Sequence, residues 1–192
     1  HYKNVWSRLM GIPTLIKTLT ASGDSSLSFV DGTADVTLDS TYDEYMFVYT
    51  GVNPATDNVH FQFQVSTDGG SSYGVSMTTT FFDAWHNEGD TGAGMSYETS
   101  KDLANGTGYQ TLNADVGNDA DFGCVGILHL FNPSSTTYVK HFYNRATSTT
   151  YSNYAHDDSC AGYVNTTSAV DAINFKFSSG NFDGVIQLYG IS

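Results

Sequence analysis

Residues 123–145 read Gly-Cys-Val-Gly-Ile-Leu-His-Leu-Phe-Asn-Pro-Ser-Ser-Thr-Thr-Tyr-Val-Lys-His-Phe-Tyr-Asn-Arg, and this stretch decides the fold class. An apolar run, residues 124–131, stops at the turn formers Asn132-Pro133-Ser134-Ser135, and a run of β-branched and aromatic side chains, residues 136–143, follows at once. Two such runs across a polar turn predict a β-hairpin. The first arm is apolar at nearly every position, with His129 as its polar exception. That pattern predicts a strand covered on both faces at the centre of a sheet. The second arm alternates, Tyr138, Lys140 and Phe142 against Val139, His141 and Tyr143, so neither of its faces is purely apolar.

Working outward, residues 59–66 give the cleanest alternation in the chain, with Val59, Phe61, Phe63 and Val65 inward and His60, Gln62, Gln64 and Ser66 outward. The outward side is expected to be wet or to bond a partner. Asp68-Gly69-Gly70-Ser71 supplies a tight turn, with residues 75–81 returning as the second arm of a hairpin. Residues 15–20, 26–30, 44–50, 109–116, 172–177 and 185–191 read as further strands, and Val36 and Leu38 as a short one. Residues 53–58 read as a loop, and 156–159, His-Asp-Asp-Ser, as an acidic loop between strand fragments at 151–154 and 162–164. Across residues 83–108 the periodicity fails, and a loop of that length in a compact domain is usually functional. With roughly ten short strands and no amphipathic helix, the chain is expected to be all-β, an antiparallel β-sandwich of jelly-roll-like form. Residues 13–192 form its single domain, and residues 1–12 read as an N-terminal extension or a processing or tag remnant.

Charge narrows the partners. Seven Lys and Arg against twenty Asp and Glu give a net charge of −13, which disfavours nucleic acid and anionic lipid, whose binding depends on basic side chains displacing counterions. No apolar run approaches the ~18 residues of a membrane span, so no membrane insertion is expected. Cys124 and Cys160 are the two cysteines. They are able to form one disulfide or to remain as two buried thiols, since buried Cys behaves as a small hydrophobe.

Several motifs carry chemistry in other settings. Gly70-Ser71-Ser72-Tyr73-Gly74 matches the G-x-S-x-G pattern, but that elbow needs a helix after the serine, and a strand is expected here. His86, Glu88 and Asp90 would share a face if extended, and Asp115, Asn118, Asp119 and Asp121 offer oxygens suited to calcium without EF-hand spacing. For both sets, and for His156-Asp157-Asp158, a solvated polar segment is the alternative. Asn105-Gly106-Thr107 and Asn165-Thr166-Thr167 fit the N-glycosylation pattern. Trp85, Tyr97 and Tyr109 present ring faces suited either to stacking on sugars or to packing the 83–108 segment onto the sandwich. No catalytic set, cofactor site or resident metal is expected.

Beyond these local features, Ser66-Thr67-Asp68-Gly69-Gly70-Ser71-Ser72-Tyr73 is similar to the Asp-box, a turn motif of many β-proteins that bears no catalytic residue. Residues 40–45, 53–57, 66–70, 128–142, 162–169 and 184–191 together resemble a family of small proteins encoded by tailed bacteriophages, many of them marine. The resemblance implies a non-enzymatic virion component, a capsid decoration protein or a tail-fibre protein, assembled in the host cytoplasm and carried on the particle. Its implied partners are other virion proteins and copies of itself, with the polar side of residues 60–64 suited to contacts between subunits. The alternative is a carbohydrate- or receptor-binding adhesin that uses the 83–108 segment and a host-surface glycan.

Overall fold

The structure, a computed structural model, describes residues 11–192. Most of the expected N-terminal extension lies outside those residues. Thirteen strands run in chain order: β1 (Thr14–Asp24), β2 (Leu27–Val30), β3 (Glu44–Pro54), β4 (Val59–Ser66), β5 (Met77–Asn87), β6 (Ala93–Tyr97), β7 (Ala104–Gly106), β8 (Gln110–Val116), β9 (Cys124–Phe131), β10 (Lys140–Thr149), β11 (Tyr154–Val164), β12 (Ala172–Phe177) and β13 (Phe182–Ile191). They form the antiparallel sandwich expected from the sequence. A nine-stranded sheet has the order β1-β13-β3-β9-β10-β11-β5-β6, with β7 also on β5, and it faces a four-stranded sheet ordered β2-β12-β4-β8.

The β9–β10 hairpin is at the centre of the larger sheet, in the register Phe142↔Leu130 and Asn144↔Leu128. Its first arm has the expected bounds, but the second begins at Lys140 rather than at residue 136 and runs on to Thr149. Nor is the first arm covered on both sides. Cys124, Leu128 and Leu130 point into the core, whereas Val125 and Ile127 face solvent. A continuous apolar run therefore marks here a strand whose outer side is itself apolar.

Alternation builds the core between the sheets. Val59, Phe61, Phe63 and Val65 of β4 are all buried, as are Tyr45, Phe47 and Tyr49 of β3. The Phe61 ring lies 5.1 Å from Tyr49 (tilted) and 6.0 Å from Phe182 (edge-on), which locks the two sheets together, and it also meets Phe177 at 5.2 Å and stacks on Phe175 at 6.0 Å within its own sheet. The polar side of β4 is not free. Gln64 is fully buried, and its amide donates to the carbonyls of Thr107 and Gly108, so the segment after β7 covers that end of the polar side, while His60 and Gln62 are half-buried.

Other expectations need correction. β4 and β5 are not a hairpin, because the turn at Gly69 (φ 70°) and Gly70 (φ 78°) carries the chain from the small sheet to the large one. Val36 and Leu38 are buried without forming a strand. The expected 83–108 loop contains the second half of β5 and all of β6 and β7, and the expected acidic loop at 156–159 lies inside β11, an unbroken strand paired with β5 from Tyr154↔Asn87 to Val164↔Met77.

Candidate functional site

Nine strands against four leave the inner side of β11, β5 and β6 extending beyond β8, the last strand of the small sheet. A cavity of about 370 Å³ opens there, lined by Asp83, Trp85, Ser96, Glu98, Asp115 and His156 among others. The β11–β5 register places Asp158 opposite Asp83 and His156 opposite Trp85, and the period-2 pleat turns all of them to the same inner side.

Among the described residues, Asp83, His156 and Asp158 are the one group of three or more His, Cys, Asp or Glu side chains arranged to share a cation; their ligand atoms lie within 4.8 Å of one another. Each carboxylate is held by one oxygen. Asp83 Oδ1 lies 2.9 Å from the Ser96 hydroxyl, which also reaches Glu98 Oε1 at 2.6 Å. Asp158 Oδ2 accepts from the Ala114 backbone N–H at 3.1 Å and from the Asn113 amide at 3.4 Å. The other two oxygens face the imidazole, with Asp83 Oδ2 3.9 Å and Asp158 Oδ1 3.7 Å from His156 Nδ1. Those separations are too long for hydrogen bonds, and both His156 Nδ1 and Asp158 Oδ1 are buried without a partner.

Electrostatics follow from this packing. Burial opposes a charged His156, but the carboxylates of Asp158, Asp83 and Asp115 outweigh it and hold the imidazole above its ordinary value. Burial raises Asp158, with His156 and the Ala114 N–H offsetting part of the rise. Behind Lys101 and Asp115 of the cavity lining, burial and then the Lys101 ammonium push His60 down. His60 Nδ1 accepts from the Asp115 N–H at 3.1 Å, and Lys101 Nζ stands 2.7 Å from Nε2.

The structure separates most residues singled out from the sequence. Trp85 lies on the inner side of β5, edge-on to Tyr154 at 5.6 Å, and Gly94 is needed beside it, since a Cβ there would come within 2.7 Å of the indole. Tyr97 pairs with Phe82 on the outer side of the same sheet and donates to Asp102, while Tyr109 donates to Asn174 of the small sheet under Lys176. The three rings form no common platform. Ser72 is tied through its N–H and hydroxyl to the Asp68 carboxylate, which closes the turn. His86 and Asp90 meet each other at 3.1 Å in solvent, and Asp115 faces Lys101 and His60 rather than Asp119 or Asp121. Asn165 donates to Asn105. Cys124 and Cys160 are free and buried, kept apart by β10, so there is no disulfide.

A second feature is the outer side of the large sheet. Met46 and Val48 of β3, Val125, Ile127 and Phe131 of β9, Tyr143 of β10, and Phe82 of β5 all point outward, with Tyr97 and Met95 of β6 continuing the surface. Ile127 is 39% exposed and Met95 75%. On the outward positions of β3, β9, β10, β11 and β5 the acids are Glu44 and Asp157, and both are paired, Glu44 with His129 and Asp157 with Arg145 at 2.6 Å. No family model, curated protein or solved structure matches the chain.

Proposed function

We propose that the chain is a non-enzymatic structural component of a bacteriophage virion, a capsid decoration or tail-fibre protein that works by binding copies of itself and neighbouring virion proteins. The observation that carries this reading is the outer side of β3, β9, β10, β11 and β5, where Val, Ile, Phe and Tyr side chains gather beside Thr, Ser and His and both acids are paired, in a protein of net charge −13. Two such bodies repel through most of their surface, and association is favoured where acids are sparse and apolar side chains gather. From β3 to β6 the face spans five interstrand steps, roughly 24 Å, by about 30 Å along the strands. That area is close to the ~800 Å² per partner that a specific interface buries. Arg145 and Asp157, side by side, are self-complementary across a two-fold axis.

The carbohydrate-binding reading has less support, since Trp85, Tyr97 and Tyr109 lie on different sides of the molecule. The test is a reconstruction of the native particle. The proposal expects ordered copies on the shell or the tail, meeting through the β3–β9–β10–β11–β5 face. Copies that are absent from the particle would overturn it.

A further inference from the structure

The cluster of Asp83, His156 and Asp158 has no part in the outer face, and as a purely internal feature it is costly. Two carboxylates and an imidazole crowd the floor of the cavity with little exposure, Asp158 fully buried, and two of their atoms, His156 Nδ1 and Asp158 Oδ1, lack any hydrogen-bond partner. Buried polar atoms are ordinarily satisfied, and an unsatisfied one points to a group that binds there.

We propose that Asp83, His156 and Asp158 bind a divalent transition-metal ion of the Mn²⁺ to Zn²⁺ series. Geometry supports this. Ligand atoms at about 2.1 Å from a tetrahedral metal stand about 3.4 Å apart. The 3.7 and 3.9 Å separations to His156 Nδ1 stand within about half an ångström of that value, and all three ligand atoms lie within 4.8 Å of one another, so modest side-chain movements bring them around one ion. Orientation favours the same point. Asp158 Oδ2 is fixed by Ala114 and Asn113, and Asp83 Oδ1 lies 2.9 Å from the Ser96 hydroxyl, a donor it shares with Glu98, which leaves the other oxygen of each carboxylate on the imidazole side. Outer partners of that kind hold ligands in place at metal sites. Donor chemistry selects the ion. One imidazole nitrogen disfavours Ca²⁺ and Mg²⁺, which take oxygen shells, and the absence of thiolate disfavours Cu⁺. The cavity lined by Ser96 and Glu98 borders the cluster and supplies space for a water or another oxygen donor as fourth ligand. An ion there joins β5 to β11 and neutralises the buried carboxylates.

Isothermal titration of the metal-stripped full chain with Zn²⁺, Mn²⁺ and Ca²⁺ tests this, with Co²⁺ absorption as a report on coordination. The expected result is one Zn²⁺ or Mn²⁺ per chain, a rise in Tm on binding, and weaker or no Ca²⁺ binding. D158N and H156Q are each expected to lose at least about 100-fold in affinity. D158N removes a charge while keeping shape, H156Q removes the imidazole donor, and thermal melts without metal verify that each still folds. Failure of the wild type to bind Zn²⁺ or Mn²⁺, or binding unchanged in both folded variants, would overturn the assignment. Ca²⁺ binding as tight as Zn²⁺ would overturn the metal class.

Discussion

Lys140 sits fully buried at the start of β10, and its ammonium is tolerated there because it donates to the carbonyl oxygens of Tyr138 and Thr166, both at 3.1 Å. Burial lowers its pKa from the ordinary lysine value. The side chain therefore pins the β9–β10 connection to the segment after β11. Removing both hydrogen bonds in Lys140→Met is expected to cost about 1–3 kcal/mol, read as a lower urea midpoint with an unchanged slope. An unaltered midpoint would mean that the two carbonyls find water instead. Asp68 does similar work in the turn between the sheets, where Ser72 and Ser66 donate to its carboxylate and bring its pKa down to about 2. A carboxyl depressed in the folded state adds stability above its unfolded value, and that stability is lost as pH falls through the folded value. Melting temperature should accordingly drop between about pH 4 and pH 2, and Asp68→Asn should melt lower at neutral pH while losing part of that acid dependence. Equal acid sensitivity in the variant would count against the assignment.

At the scale of elements, close packing decides what the central strands accept. Gly126 of β9 lies over Tyr49, and a Cβ at that position would press on the Tyr49 hydroxyl and come within 2.6 Å of Ala146 Cβ. The hydroxyl sits between Asn113 and Asn144, so Gly126 makes room for a polar bridge between the two sheets. Gly126→Ala should cost about 1–3 kcal/mol through overpacking, measured as a lower denaturation midpoint, and no loss would contradict this packing. The same elements show what the sequence discloses. The bounds of β4 and β9 are legible because their inward side is apolar without interruption, from Val59 to Val65 and from Cys124 to Leu130. β5 and β11 are not, because Asp83, His156 and Asp158 occupy inward positions where the pattern expects apolar groups. The polar site thus hides its own strands. A signal was present in Phe81-x-Asp83-x-Trp85 and His156-x-Asp158-x-Cys160, which alternate with the strand period. Long-range pairing alone puts Asp83 beside Asp158, and no local pattern supplies that.

At the scale of the whole molecule, acids cover a protein of net charge −13, while the outward positions of β3, β9, β10, β11 and β5 hold two acids, Glu44 and Asp157, both paired, with Val, Ile, Tyr and Phe on the same face. Apolar attraction there opposes charge repulsion elsewhere, and salt screens the second more than the first. Self-association should therefore strengthen as ionic strength rises, and a charge placed in the middle of the face should abolish it. Ile127 is the position to change, since it is outward and exposed and its side chain is absent from the core. The most direct test is sedimentation velocity of the wild type and Ile127→Glu over a range of concentration and salt. The account predicts oligomers of the wild type that grow more stable with salt, and a folded Ile127→Glu that stays monomeric. A wild type that remains monomeric at every concentration, or a variant that assembles equally well, would contradict it.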